Sequence, residues 1–121
     1  GYNYQYPIAE IKNATYAQVM AVLGQTLIDR VASASVPSDA DMTAINTLRN
    51  NTTTLKDIQI TTYTYKPLIG MLTSTSPSGI TTYYDYDSFG RLKETYIYKD
   101  GVVSSANKQI IQQYDYHYQN Q

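Results

Sequence analysis

The sequence predicts an α+β fold in which an antiparallel, tyrosine-rich β-meander carries an inserted cluster of about three short helices. Three observations point there. Tyrosine stands at every second residue in five stretches, Tyr2-Tyr4-Tyr6, Tyr63-Tyr65, Tyr84-Tyr86, Tyr96-Tyr98 and Tyr114-Tyr116-Tyr118. Successive side chains on a strand point to opposite faces, so this spacing lines tyrosines along one face of a sheet. The hydrophobic period then switches from helical to strand-like near Asp57. Finally, Tyr63-Thr-Tyr-Lys-Pro-Leu-Ile-Gly-Met-Leu72 returns, one residue shorter, as Tyr84-Asp-Tyr-Asp-Ser-Phe-Gly-Arg-Leu92.

The elements follow in order. Residues 1–11 read as an N-terminal strand segment in which Tyr2 to Tyr6 alternate and Ile8 to Ile11 continue extended, with Pro7 limiting how far a central strand could run. Residues 12–56 read as the helical insertion. Thr15 and Gln18 fit a capping box, Tyr16, Val19, Met20 and Leu23 follow at helical spacing, and Gly24 suits a C-cap. Thr26 opens a second helix with Leu27, Ile28 and Val31; Ser38 or Asp39 caps a third, in which Met42, Ile45 and Leu48 form the buried stripe, ending near Asn50-Asn51. Helices this short need one another or the sheet to persist. Residues 57–121 read as the sheet, with strands over 58–65, 71–76, 80–86, 91–98 and 109–118 and a loop over 102–107. The links are too short for parallel crossovers, so pairing should be antiparallel and local. Gly90 should need positive φ to close its turn.

Composition narrows the function. A chain of 121 residues suits one module. A net charge of −1, with charges scattered singly, gives no surface for neutralising phosphates, so no nucleic-acid partner is expected. No apolar run is long enough to span a bilayer. Without cysteine there is neither disulfide nor thiol chemistry. A chain that opens on Gly1 and enters a strand pattern directly is expected to be a piece of a longer protein, so a missing export signal carries no weight.

Tyr84-Asp85-Tyr86-Asp87-Ser88-Phe89-Gly90-Arg91-Leu92, followed by Tyr96 and Asp100-Gly101, resembles the YD repeat of the RHS (rearrangement hot spot) family. Tyr63 to Gly79 resembles a degenerate preceding unit with Met71-Leu72 in place of Arg-Leu, and Tyr114-Asp115-Tyr116 the start of a following one. The resemblance covers about half the chain. The phrases 1–10 and 62–70 are further similar to the C-terminal portion of large RHS-repeat proteins of bacterial cell surfaces. It implies a β-ribbon in which Tyr84, Asp85, Tyr86, Gly90, Arg91, Leu92 and Gly101 are structural, a place outside the cell or on its surface, and adjacent repeats of the parent protein as partners. A helical segment between tyrosine strands departs from the plain repeat.

Candidate chemistry is sparse. His117 is the only histidine and has no second His or Cys to join it. Asp85 and Asp87 could offer oxygens to calcium, but turn formation explains Asp87 and exposure explains Asp85. Asp39 and Asp41 suit the positive end of a helix. No nucleophile elbow, phosphate loop or zinc motif is present, so neither enzyme activity, cofactor nor metal is expected. Tyrosine faces suit either cross-strand ladders or sugar stacking, with Tyr96, Tyr98, Tyr114, Tyr116 and Tyr118 as the stacking candidates. The leading reading is a non-catalytic structural repeat module; the alternative is a carbohydrate- or ligand-binding surface. Self-association through open sheet edges is expected too, with Tyr114 to Tyr118 as the exposed edge.

Overall fold

The computed structural model describes residues 2, 6–51 and 55–114. Six strands, β1 (Ala9–Lys12), β2 (Gln59–Lys66), β3 (Gly70–Thr75), β4 (Thr81–Tyr86), β5 (Leu92–Tyr98) and β6 (Lys108–Gln113), form one sheet in chain order. Every pairing is antiparallel. Helices α1 (Tyr16–Leu23), α2 (Gln25–Ser33) and α3 (Asp39–Asn46), with a turn of 3-10 helix at Thr47–Asn50, lie in the connection between the directly paired β1 and β2.

Local signals place the helices. Thr15 Oγ1 accepts from the Gln18 N–H while Gln18 Oε1 accepts from the Thr15 N–H, a complete capping box. Gly24, with φ +87°, ends α1 through its N–H to Met20 O and precedes α2, whose first residue is Gln25, one before Thr26. Ser38 Oγ caps α3 by accepting from Asp41 N. Val19, Val31, Met42, Ile45, Leu48 and Leu55 bury themselves against Ile60 of β2, with Ile8, Ile11, Leu23 and Leu27 packed around them. Tyr16 departs from the expected stripe: it is 61% exposed, because α1 turns Val19 and not its first residue toward the core.

In the expected first segment, Ala9 to Ile11 lie in β1, whereas Tyr2 and Tyr6 lie outside any strand. Regular pairing begins at Ala9. Tyr2 sits in a turn with φ +56° and is buried, its ring edge-on to Tyr65 at 5.3 Å, and Tyr6 lies in a bend; residues 3–5 fall outside the described residues. At the other end β6 stops at Gln113; Tyr114 lies past it, and Tyr116, His117 and Tyr118 fall outside the described residues. The link between β5 and β6 contains a 3-10 turn at Ser105–Asn107.

The repeat is clearer in the register than in the sequence. Between β2 and β3, Thr64 pairs with Thr73 and Tyr65 with Met71, leaving Leu72 as a bulge. Between β4 and β5, Asp85 pairs with Glu94 and Tyr86 with Leu92, leaving Lys93 as a bulge. The same interval along the chain relates each member of the first set to its counterpart in the second. The two turns are therefore equal in length, not one residue different, and the counterpart of Leu92 is Met71 and not Leu72. A bulge places two residues opposite one and increases local twist, which bends both hairpins alike.

Candidate functional site

Alternation along β2 and β4, combined with register, sorts the tyrosines onto two faces. Ile60, Thr62 and Thr64 face the helices, so Tyr63 and Tyr65 face away; Thr73 pairs with Tyr83, which puts Tyr83 on the helix side and Tyr84 and Tyr86 on the other. Tyr83 pairs with Tyr96 across β4 and β5. Alternation within each strand was legible, but Tyr96 and Tyr98 lie on the opposite face from Tyr84 and Tyr86. Tyr83, which no spacing rule singled out, is the ring that completes their cluster.

On the helix side beyond the reach of the helices, Tyr83 and Tyr96 stack with centroids 5.3 Å apart and planes 7° from parallel. Tyr98 meets both edge-on, at 5.2 Å and 5.6 Å. Lys108 Nζ lies 4.3 Å from the Tyr96 centroid and donates to Glu94 Oε1 at 2.7 Å. Because β4 and β6 flank β5 on opposite sides, Tyr83 and Lys108 take the two faces of the Tyr96 ring. That leaves Tyr96 no face on which a sugar could stack. Burial pushes the Tyr96 phenol above its ordinary value, helped by neighbouring Tyr98, while the Glu94 hydrogen bond raises the Lys108 ammonium.

On the other face, Tyr65 stacks on Tyr6 at 4.9 Å and takes Tyr2 and Tyr63 against it, and its N–H donates to Tyr2 Oη. Tyr86 Oη donates to Met71 O at 2.7 Å. Burial first, then neighbouring tyrosines, raises the phenols of Tyr65 and Tyr86. The rings that pair across strands are Tyr83 with Tyr96 and Tyr98, each such pair contributing about 0.2 to 1 kcal/mol; on the other face the rings of Tyr2 and Tyr6 pack on Tyr65 of β2.

The turn residues do local work. Asp87 Oδ1 accepts from the N–H groups of Phe89 and Arg91, and Oδ2 from Arg91 Nε at 2.9 Å. Gly90 has φ +76° and Gly101 +71°, both in the left-handed region. Asp85 pairs with Glu94 on the face away from Tyr84 and Tyr86. Asp41 is buried in a two-point contact with Arg30, at 2.8 Å and 2.6 Å, and that pairing lowers its pKa; Asp39 is exposed on α3. Among the described residues, no three acidic or histidine side chains converge on a point that could hold a metal, and no helix is long and apolar enough to cross a membrane.

Arg49 is the other residue that sequence reasoning missed. It follows α3 and reaches across β2 to β3, donating to Ser76 O at 2.8 Å, Thr75 O at 2.9 Å and Ile60 O at 3.1 Å, and to Asn46 Oδ1. Burial lowers its pKa, and among the described residues its partners are backbone, amide and hydroxyl oxygens, not carboxylates. The only signal for it was an arginine next to a buried stripe, which is too common to single it out.

The chain matches no family model, no curated protein and no solved structure.

Proposed function

We propose that the chain is a non-catalytic structural module of YD-repeat type, a stretch of β-ribbon from a large RHS-like protein exported to, or displayed on, a bacterial cell surface. The observation that carries the reading is the recurrence of one bulged hairpin, with Tyr65 and Met71 in the first copy standing where Tyr86 and Leu92 stand in the second. Each hairpin offers open backbone groups to a neighbour, so stacking units in series completes the sheet. Adjacent repeats of the parent protein are the partners this implies. Its place outside the cell follows from the family resemblance alone.

Tandem duplication tests the reading. A second copy of residues 80–100 inserted after the first adds one hairpin and restores strand direction for β6. In a repeat module the lengthened protein folds cooperatively, with unchanged or higher melting temperature and a steeper denaturant dependence, because m scales with the surface exposed on unfolding. A lengthened chain that loses its β signal or melts well below the parent would overturn the proposal.

A further inference from the structure

The two edges of the sheet differ. β1 has four residues, and Glu10 and Lys12 give it charges of both signs. β6 has six residues, Lys-Gln-Ile-Ile-Gln-Gln, all of them exposed, with Ile110 at 50% and Ile111 at 58%. Edge strands are ordinarily guarded by proline or by charges, lysine above all, that make a second strand costly to add. In β6 there is no proline, and the single lysine is engaged by the sheet: Lys108 is paired with buried Glu94 and seated on the Tyr96 ring. A bulge at Ile111 could bend the edge away. Yet β3 and β5 carry the same kind of bulge and each accepts a strand on its other side, over the residues beside the bulge, 73–75 and 94–98.

We propose that β6 pairs antiparallel with β6 of a second copy, joining two sheets edge to edge about a twofold axis. The occupant is a second copy because β6 complements itself. Antiparallel self-pairing sets the uncharged Gln-Ile-Ile-Gln-Gln run against its own image, brings the exposed isoleucines together, and keeps the two Lys108 ammonium groups away from each other toward opposite ends of the ladder. A head-to-tail contact of β6 with β1 would propagate without closing, but it sets those isoleucines against Glu10 and Lys12. Association therefore stops at the dimer. The inference does not depend on the repeat reading.

Sedimentation velocity on the 121-residue chain, from micromolar to millimolar concentration, tests it. The dimer fraction should rise with concentration. Ile110→Lys and Gln112→Lys should each raise the dissociation constant at least about tenfold while keeping the far-UV spectrum of the parent. Phe89→Ser, exposed in the turn between β4 and β5 and outside β6, should leave it unchanged. The chain has no cysteine, so a spin label on Gln109→Cys reports the partner without background and stays informative even if a lysine variant misfolds. Gln109 of one copy stands opposite Gln113 of the other, so labels on the two copies should lie roughly 15 Å apart, four residues along the ladder. A monomer at millimolar concentration, a dimer indifferent to both lysines, a dimer lost in Phe89→Ser, or labels far apart would each refute pairing through β6.

Discussion

Tyr86 occupies the space that a side chain on Gly70 would need. A Cβ there would lie 2.6 Å from Tyr86 Oη, and that hydroxyl is held in place by its bond to Met71 O. Gly70 also has φ +149°, a region L side chains rarely adopt. Gly70→Ala should therefore cost about 1 to 3 kcal/mol in urea unfolding. Tyr86→Phe alone should cost about 1 kcal/mol for the lost hydrogen bond. Combined, the two should cost less than their sum, because phenylalanine removes the atom that the new methyl meets. Strict additivity would show that the hydroxyl is not the obstacle.

Gly90 presents the opposite case. Its nearest neighbour to a built Cβ is Ile69 Cδ1 at 3.5 Å, an ordinary contact, so the demand for glycine is purely conformational. Gly90→Val should destabilise by more than about 1 kcal/mol, and Gly90→Asn by less, since asparagine tolerates the left-handed region. Thermal melts of the two variants, side by side, check the ranking.

Arg49 fastens the helical layer to the sheet. Arg49→Met keeps the aliphatic stem but leaves the carbonyls of Ile60, Thr75 and Ser76 without this donor. The expected loss is about 2 kcal/mol. Arg49→Lys should recover only part of it, because an ammonium cannot reproduce the planar fork that spans two strands. Denaturant titration followed by tyrosine fluorescence gives both numbers.

Asp87 makes a pH-dependent contribution. Hydrogen bonds from the Arg91 N–H first, and then from the Phe89 N–H and the Arg91 side chain, hold its pKa below the ordinary carboxylate value. A folded pKa depressed below the unfolded one means stability that is fully present above about pH 4 to 5 and lost as pH falls through the folded value. The melting temperature of Asp87→Asn, which keeps an amide oxygen to accept from the turn, should fall less steeply than that of the parent below about pH 4. Parallel acid titrations with equal slopes would remove Asp87 as a source.

Much of this architecture was legible because its signals are local. The Thr15–Gln18 capping box, the Ser38 cap and the turn closed by Gly90 each depend on a few consecutive residues, and each formed where the sequence put it. The phase between strands was not legible. Period-two spacing says that Tyr84 and Tyr86 share a face and that Tyr96 and Tyr98 share one, but a bulge between the strands breaks any count across the hairpin. That is why Tyr83 went unnoticed as the partner of Tyr96, and why Gly70 aligned with the wrong neighbour. The role of Arg49 depends on contacts distant in sequence, which no local pattern encodes. The turn at Tyr2 was not legible either, because its ring is buried by contact with Tyr65, a partner equally remote.

The placement of all three helices between two strands that pair with each other sets an order of assembly. Each hairpin from β2 to β5 closes a short loop, so its contacts form early at little entropic cost. The ladder joining Lys12 to Gln59 must instead bring together segments separated by the whole helical insertion. Contacts of such long range slow folding, and they wait for α3 and Leu48 to find Ile60. Under native conditions amide exchange should therefore release α1, which buries only Val19, before it reaches the centre of β2, where Ile60 is covered by the core.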